Sequence, residues 1–128
     1  MKFALLLNGA ESEWNALGED AQAAAMGDYY SVTEAMKEAG VYVGGEALTP
    51  SATATTLRIR DGERMVTDGP FIESKEILGG FYVIDCASVD EALDWAARLP
   101  DAKIGSIEIR PLLDVDELMS EGATAASG

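Results

Sequence analysis

The chain has 128 residues with 23 acidic and 9 basic side chains, a formal net charge of -14, and 48% hydrophobic residues. That length suits one domain with a real core and the hydrophobic share excludes disorder throughout. The charge disfavours phosphate backbones and anionic lipid, so nucleic-acid and membrane-surface binding are excluded as functions.

The apolar opening, Phe3 to Leu7, is shorter than a signal peptide requires and runs into Asn8-Gly9 without a cleavage pattern. It is predicted to be a strand covered on both faces, and the protein is expected to be cytoplasmic. No apolar stretch reaches the roughly 20 residues of a membrane span. A turn of helix is predicted near Ser12 to Leu17. From Glu19 to Ala39 the apolar positions Ala21, Ala25, Tyr29, Val32, Met36 and Ala39 recur at helical steps, and Gly40 stops the helix.

Val41 to Leu48 is the second predicted strand, with Gly44-Gly45 marking a bulge or a close backbone approach. Thr53 to Arg60 alternates as a strand, Asp61-Gly62 is a hairpin signal, and the chain returns through Arg64 to Thr67. Asp68-Gly69-Pro70-Phe71 breaks that strand, and a connector runs to Leu78. Phe81 to Cys86 is apolar on both faces except at Asp85. Ser88 to Glu91 forms a capping box for a helix expected to turn Leu93, Trp95, Ala96 and Ala97 inward and to end before Pro100. Ser106 to Leu112 is the last strand, and residues 114–128 read as an acidic, then small-residue tail outside a domain spanning 1–113.

This order predicts an α+β fold, a ferredoxin-like βαβ-βαβ arrangement with an inserted β-hairpin and both helices on one face of the sheet. The first strand and the Phe81 strand become central, and both are apolar on two sides. The face away from the helices therefore needs a second sheet, most simply from another copy of the chain, giving a homodimer.

Cys86 is the sole cysteine and histidine is absent, so neither a disulfide, a thiolate cluster, nor a histidine-based triad is available. No metal and no cofactor is expected. Asp68 is a candidate general base or a turn residue ahead of Gly-Pro. Glu73, Lys75 and Glu76 are candidates to hold or polarise a small substrate, or form a solvated loop. Arg58 is a candidate anchor for a carboxylate ligand or one half of an interfacial salt bridge. Gly44-Gly45-Glu46 is no dinucleotide fingerprint, since the spacing is wrong and no helix follows.

The block Asp68-Gly69-Pro70-Phe71, Glu73, Lys75-Glu76 and Gly79-Gly80, with Val41 to Glu46, Ala54-Thr55-Thr56 and Ile107 to Pro111, resembles the DGPF subgroup of the YCII-related proteins. The resemblance spans nearly all of Met1 to Leu113. It implies a dimeric α-β barrel and bacterial origin, with no settled function. One relative is a dehydrochlorinase, and subgroup members often lie beside genes for extracytoplasmic-function sigma factors. The His-Asp pair proposed as catalytic in some relatives cannot carry over to a chain without histidine.

Two functions follow as expectations. One is a metal-free enzyme or binder for a small organic acid, of proton-transfer or elimination type, with catalytic Asp68, Glu73 and Lys75 and substrate-binding Arg58, Tyr82 and Glu46. The other is a regulatory accessory protein that docks through its acidic surface, for instance with a sigma factor. A polar-lined cavity favours the first, and a solid core with a flat acidic patch favours the second.

Overall fold

The computed structural model describes residues 1–70 and 75–120. Six strands and several helices form an α+β domain. The strands are β1 (Lys2–Gly9), β2 (Tyr42–Ala47), β3 (Thr55–Arg60), β4 (Glu63–Asp68), β5 (Ile77–Asp85) and β6 (Ser106–Pro111). The helices are α1 (Glu11–Ala16), α2 (Glu19–Glu38), α3 (Val89–Ala96) and α4 (Asp101–Ile104), with a 3-10 turn at Ser51–Thr53.

The main sheet has the order β2-β5-β1-β6, every neighbour antiparallel, which is compatible with a ferredoxin-like fold. The two strands with continuous apolar runs, β1 at Phe3 to Leu7 and β5 at Phe81 to Ile84, lie in the middle. Pairing sets the faces, because directly opposed residues point the same way. Phe3 lies opposite Ile84, Leu5 opposite Tyr82, and Leu7 opposite Gly80 and Ile107. This face meets the helices. Phe3, Leu5, Leu7 and Ile84 form a core with Val32 and Met36 of α2, Ala92 and Ala96 of α3, and Leu99.

The opposite face holds Ala4 against Val83 and Leu6 against Phe81, all partly exposed, with Leu78 41% and Val43 49% exposed nearby. The buried core cluster draws its strand residues from the helix-facing side, and none of Ala4, Leu6, Phe81 and Val83 is in it. At its β6 side, Arg110 Nε donates to Glu108 Oε1 at 3.1 Å.

Local signals account for most element ends. Gly40, at φ +75°, closes α2: its N–H bonds the Lys37 carbonyl and the Val41 N–H bonds that of Met36. The Ser88 hydroxyl accepts from Glu91 N–H, and the Glu91 carboxylate accepts from Ala87 N–H at 2.8 Å. Asp61 and Gly62 both have positive φ, 52° and 79°, as a two-residue hairpin turn requires. The bulge predicted at Gly44 is present between Tyr42 and Gly44. A Cβ on Gly45 would lie 2.7 Å from the Phe81 carbonyl oxygen.

The inserted hairpin is present as β3-β4, and among the described strands it pairs with itself as a two-stranded sheet. Two expectations are corrected. Strand β5 begins at Ile77, which puts Gly79-Gly80 inside a strand rather than ahead of it. On α3 the inward positions are Ala92 and Ala96, while Leu93 is 51% exposed and Ala97 is exposed. Small alanines let this helix approach the sheet closely, and Leu93 falls on the outer side of that seam.

Candidate functional site

Helix α2 packs tightly only over its second half. Val32 and Met36 are buried, Ala25 and Tyr29 partly so, and Ala21 is exposed. The first turns therefore stand away from the sheet, and the space beneath them is a cavity of about 590 Å³. Helix α1 closes one side with Trp14 and is tied at both ends: Gln22 Nε2 donates to the Trp14 carbonyl at 2.9 Å, and Ser51 N–H donates to Glu11 Oε1 at 2.6 Å.

The walls are Met26, Tyr29 and Thr33 of α2, Tyr42 and Gly45 of β2, and Ile77 to Tyr82 of β5, with Asp101 and Ile104 of α4. The glycines at Gly45 and Gly80 matter to this space. Each brings backbone against backbone where a Cβ would collide with the neighbouring strand.

Four polar groups meet inside. The Tyr29 hydroxyl donates to Asp101 Oδ1 in a short hydrogen bond. The Thr33 hydroxyl donates to the Tyr29 carbonyl at 2.7 Å, and its Oγ1 lies 2.9 Å from the Tyr82 hydroxyl. A hydroxyl has one proton to give. With Thr33's proton on the Tyr29 carbonyl, the proton between Thr33 and Tyr82 is supplied by Tyr82. The rings of Tyr42 and Tyr82 meet edge to face with centroids 6.4 Å apart, which fixes Tyr82 further.

Burial sets the proton affinities of these groups. It pushes the Asp101 carboxyl above its ordinary range, opposed in part by the bond from Tyr29. Burial, then the bond and charge of Asp101, push the Tyr29 phenol up. Burial likewise raises Tyr82, with the Thr33 bond working against it. Both phenols thus stay protonated at neutral pH. Asp101 is the only carboxyl of the four groups, and burial raises its proton affinity.

Of the residues singled out in the sequence, Tyr82 and Glu46 line this cavity, and so do Ile77, Leu78, Gly79 and Gly80 from the end of the Asp68 block. Arg58, Asp68 and Lys75 are not among its lining residues. Arg58 sits in the middle of β3, opposite Met65 on the separate hairpin. Asp68 ends β4 opposite Thr55 and is exposed, as is Lys75. Glu73 lies outside the described residues. Asp101, Tyr29 and Thr33 had not been identified from sequence as a site. Tyr29 was visible only as one position of a helical stripe, and Asp101 only as a residue after a proline.

Among the described residues no group of three or more Asp, Glu, His or Cys side chains is placed to hold a metal ion. No helix among them is long and apolar enough to cross a membrane.

A YCII-related domain model matches residues 1–116. The chain belongs to the YCII-related family. It is also similar to an uncharacterized protein of Rhizobium meliloti (strain 1021), 45% identical over 114 residues that cover 88% of this chain and 92% of that one. That match takes in nearly the whole described domain. Family membership therefore applies to the sheet, the helices and the cavity together.

Proposed function

We propose that this YCII-related chain, of the DGPF subgroup, binds a small organic molecule in the cavity under α2 and exchanges a proton with it through Asp101. The observation that carries the reading is a carboxyl raised by burial, facing an apolar-walled cavity of about 590 Å³ and held by a tyrosine from another element. Proteins concentrate raised carboxyls of this kind at sites of acid–base work. Asp101 would accept a proton from the ligand and return it at another atom of the same ligand, so neither metal nor redox partner is needed. Tyr29 holds the carboxylate in place, and Tyr82 positions the ligand.

The assembly we propose is a homodimer through the sheet face away from the helices. The apolar side chains Ala4, Leu6, Phe81 and Val83 line that face, and a two-fold partner would cover them to give a dimeric α-β barrel. The alternative, a regulatory accessory protein for a sigma factor, rests on the net charge of -14. The cavity favours the small-molecule reading, because a docking surface needs no interior space.

A fragment screen by thermal shift tests the site. Fragments that stabilise the wild type should lose at least tenfold in affinity for Asp101→Asn and keep it for Asp68→Asn. Equal losses in both variants, or a screen without a stabilising fragment, would overturn this reading.

A further inference from the structure

The direction of the hydrogen bonds in the cavity carries a statement about its ligand. Tyr29 spends its only proton on Asp101, and Tyr82 spends its only proton on Thr33, whose own proton goes to the Tyr29 carbonyl. What these groups still present is lone pairs: one on each phenol oxygen and those of the second Asp101 oxygen. The polar groups of this network thus act as acceptors, with every side-chain donor already engaged.

The charges agree with this. The cavity lining includes the carboxyls of Glu11, Glu13 and Asp101, while Glu46 stands opposite Phe81 and so on the other face of β2, and among the described lining residues there is no Lys or Arg. Lys37, whose ammonium sits over the Tyr42 ring at 5.4 Å and bonds Glu34, does not line the space. At the Tyr29-Thr33-Tyr82-Asp101 network a ligand carboxylate would meet neither a counter-charge nor a donor, since the lining's other donors, on Trp14, Asn15, Tyr42 and Thr49, lie outside that network. A ligand ammonium would find both acceptors and aromatic faces, Trp14 and Tyr82 among them.

We infer that the cavity selects a molecule with an apolar or aromatic body and a cationic amine, the amine donating to Asp101 and the tyrosine oxygens. This rests on the site proposed above and replaces the small organic acid expected from Arg58, which lies on the hairpin away from the cavity lining.

The test is calorimetric titration with four probes of one size: benzylamine, phenethylamine, benzyl alcohol and phenylacetate. The inference expects the two amines to bind at least tenfold more tightly than phenylacetate, with benzyl alcohol between. Asp101→Asn should remove most of the amine preference while leaving benzyl alcohol binding within about threefold. Thr33→Val frees the Tyr82 proton, so this variant should gain severalfold for phenylacetate, which a merely structural role for Thr33 would not produce. Phenylacetate binding as well as the amines, or an amine preference untouched in Asp101→Asn, overturns the inference while leaving the cavity as a site. Absence of binding by all four probes overturns both.

Discussion

Tyr29 of α2 donates its phenol proton to Asp101 of α4, 72 residues further along the chain. The bond joins two of the elements that frame the cavity, and it restrains a carboxyl that burial has already made less acidic. Site and fold are thus linked through one contact, and its consequences are measurable.

The first consequence is a pH dependence of stability. A carboxyl whose folded pKa is raised binds more protons in the native state than in the unfolded one over the window between the two values. Stability contributed by this group is therefore greatest in acid and falls as pH rises from about 4, the ordinary carboxylate value, through the raised one. Asp101→Asn abolishes that slope. The difference in unfolding free energy between wild type and variant, followed by urea denaturation from pH 3.5 to 8, should decline with pH and then level. A difference independent of pH would mean that Asp101 titrates normally.

A second prediction concerns the sheet face away from the helices. Val83 is partly exposed on the side of β5 away from the helices, beside Ala4. Val83→Glu should leave the folded chain intact and place a charge in the middle of the proposed interface. Light scattering at micromolar concentration should give twice 13.5 kDa for the wild type and about half that for the variant. A wild type that scatters as a monomer would remove the homodimer.

A third prediction concerns Gly105, where α4 passes into β6. A Cβ there would lie 2.2 Å from the Asn8 carbonyl oxygen and 3.1 Å from Gly9 Cα, both main-chain atoms of β1. Neither is the yielding tip of a side chain. Gly105→Ala should cost about 1–3 kcal/mol, as overpacking does elsewhere, read as a lower urea midpoint. An unchanged midpoint would show that β6 can shift at no cost.

The fold was more legible than the site, for a physical reason. Strands β1 and β5 were recognisable as central because Phe3 to Leu7 and Phe81 to Ile84 are apolar at both parities, unlike the alternating edge strand β6. Asp61-Gly62, Gly40 and the Ser88 to Glu91 box act within a few residues of themselves, so their turns and caps could be read directly. Leu93 misled because helical periodicity ranks residues by hydrophobicity, whereas close packing on the sheet selected the small Ala92 and Ala96. The start of β5 was misplaced because Gly79-Gly80 look like a turn in isolation, while the opposing backbones of β1 and β2 use them within a sheet. Of the cavity, the sequence suggested only Tyr82, Glu46 and a pocket near the Asp68 to Gly80 block. The cavity depends on Tyr29, Thr33, Tyr82 and Asp101 meeting from three elements, and no spacing within the chain encodes that meeting. Of the Asp68 to Gly80 block, Ile77 to Gly80 form part of the cavity wall, and Asp68 and Lys75 do not line it.

The most direct test of the account is an amide chemical-shift titration of the full chain with benzylamine. The account predicts saturable shifts concentrated at Tyr29, Thr33, Gly45, Gly80 and Asp101, around the cavity under α2. Shifts centred instead on Arg58, Asp68 and Lys75, or no saturable shift at millimolar amine, would contradict it.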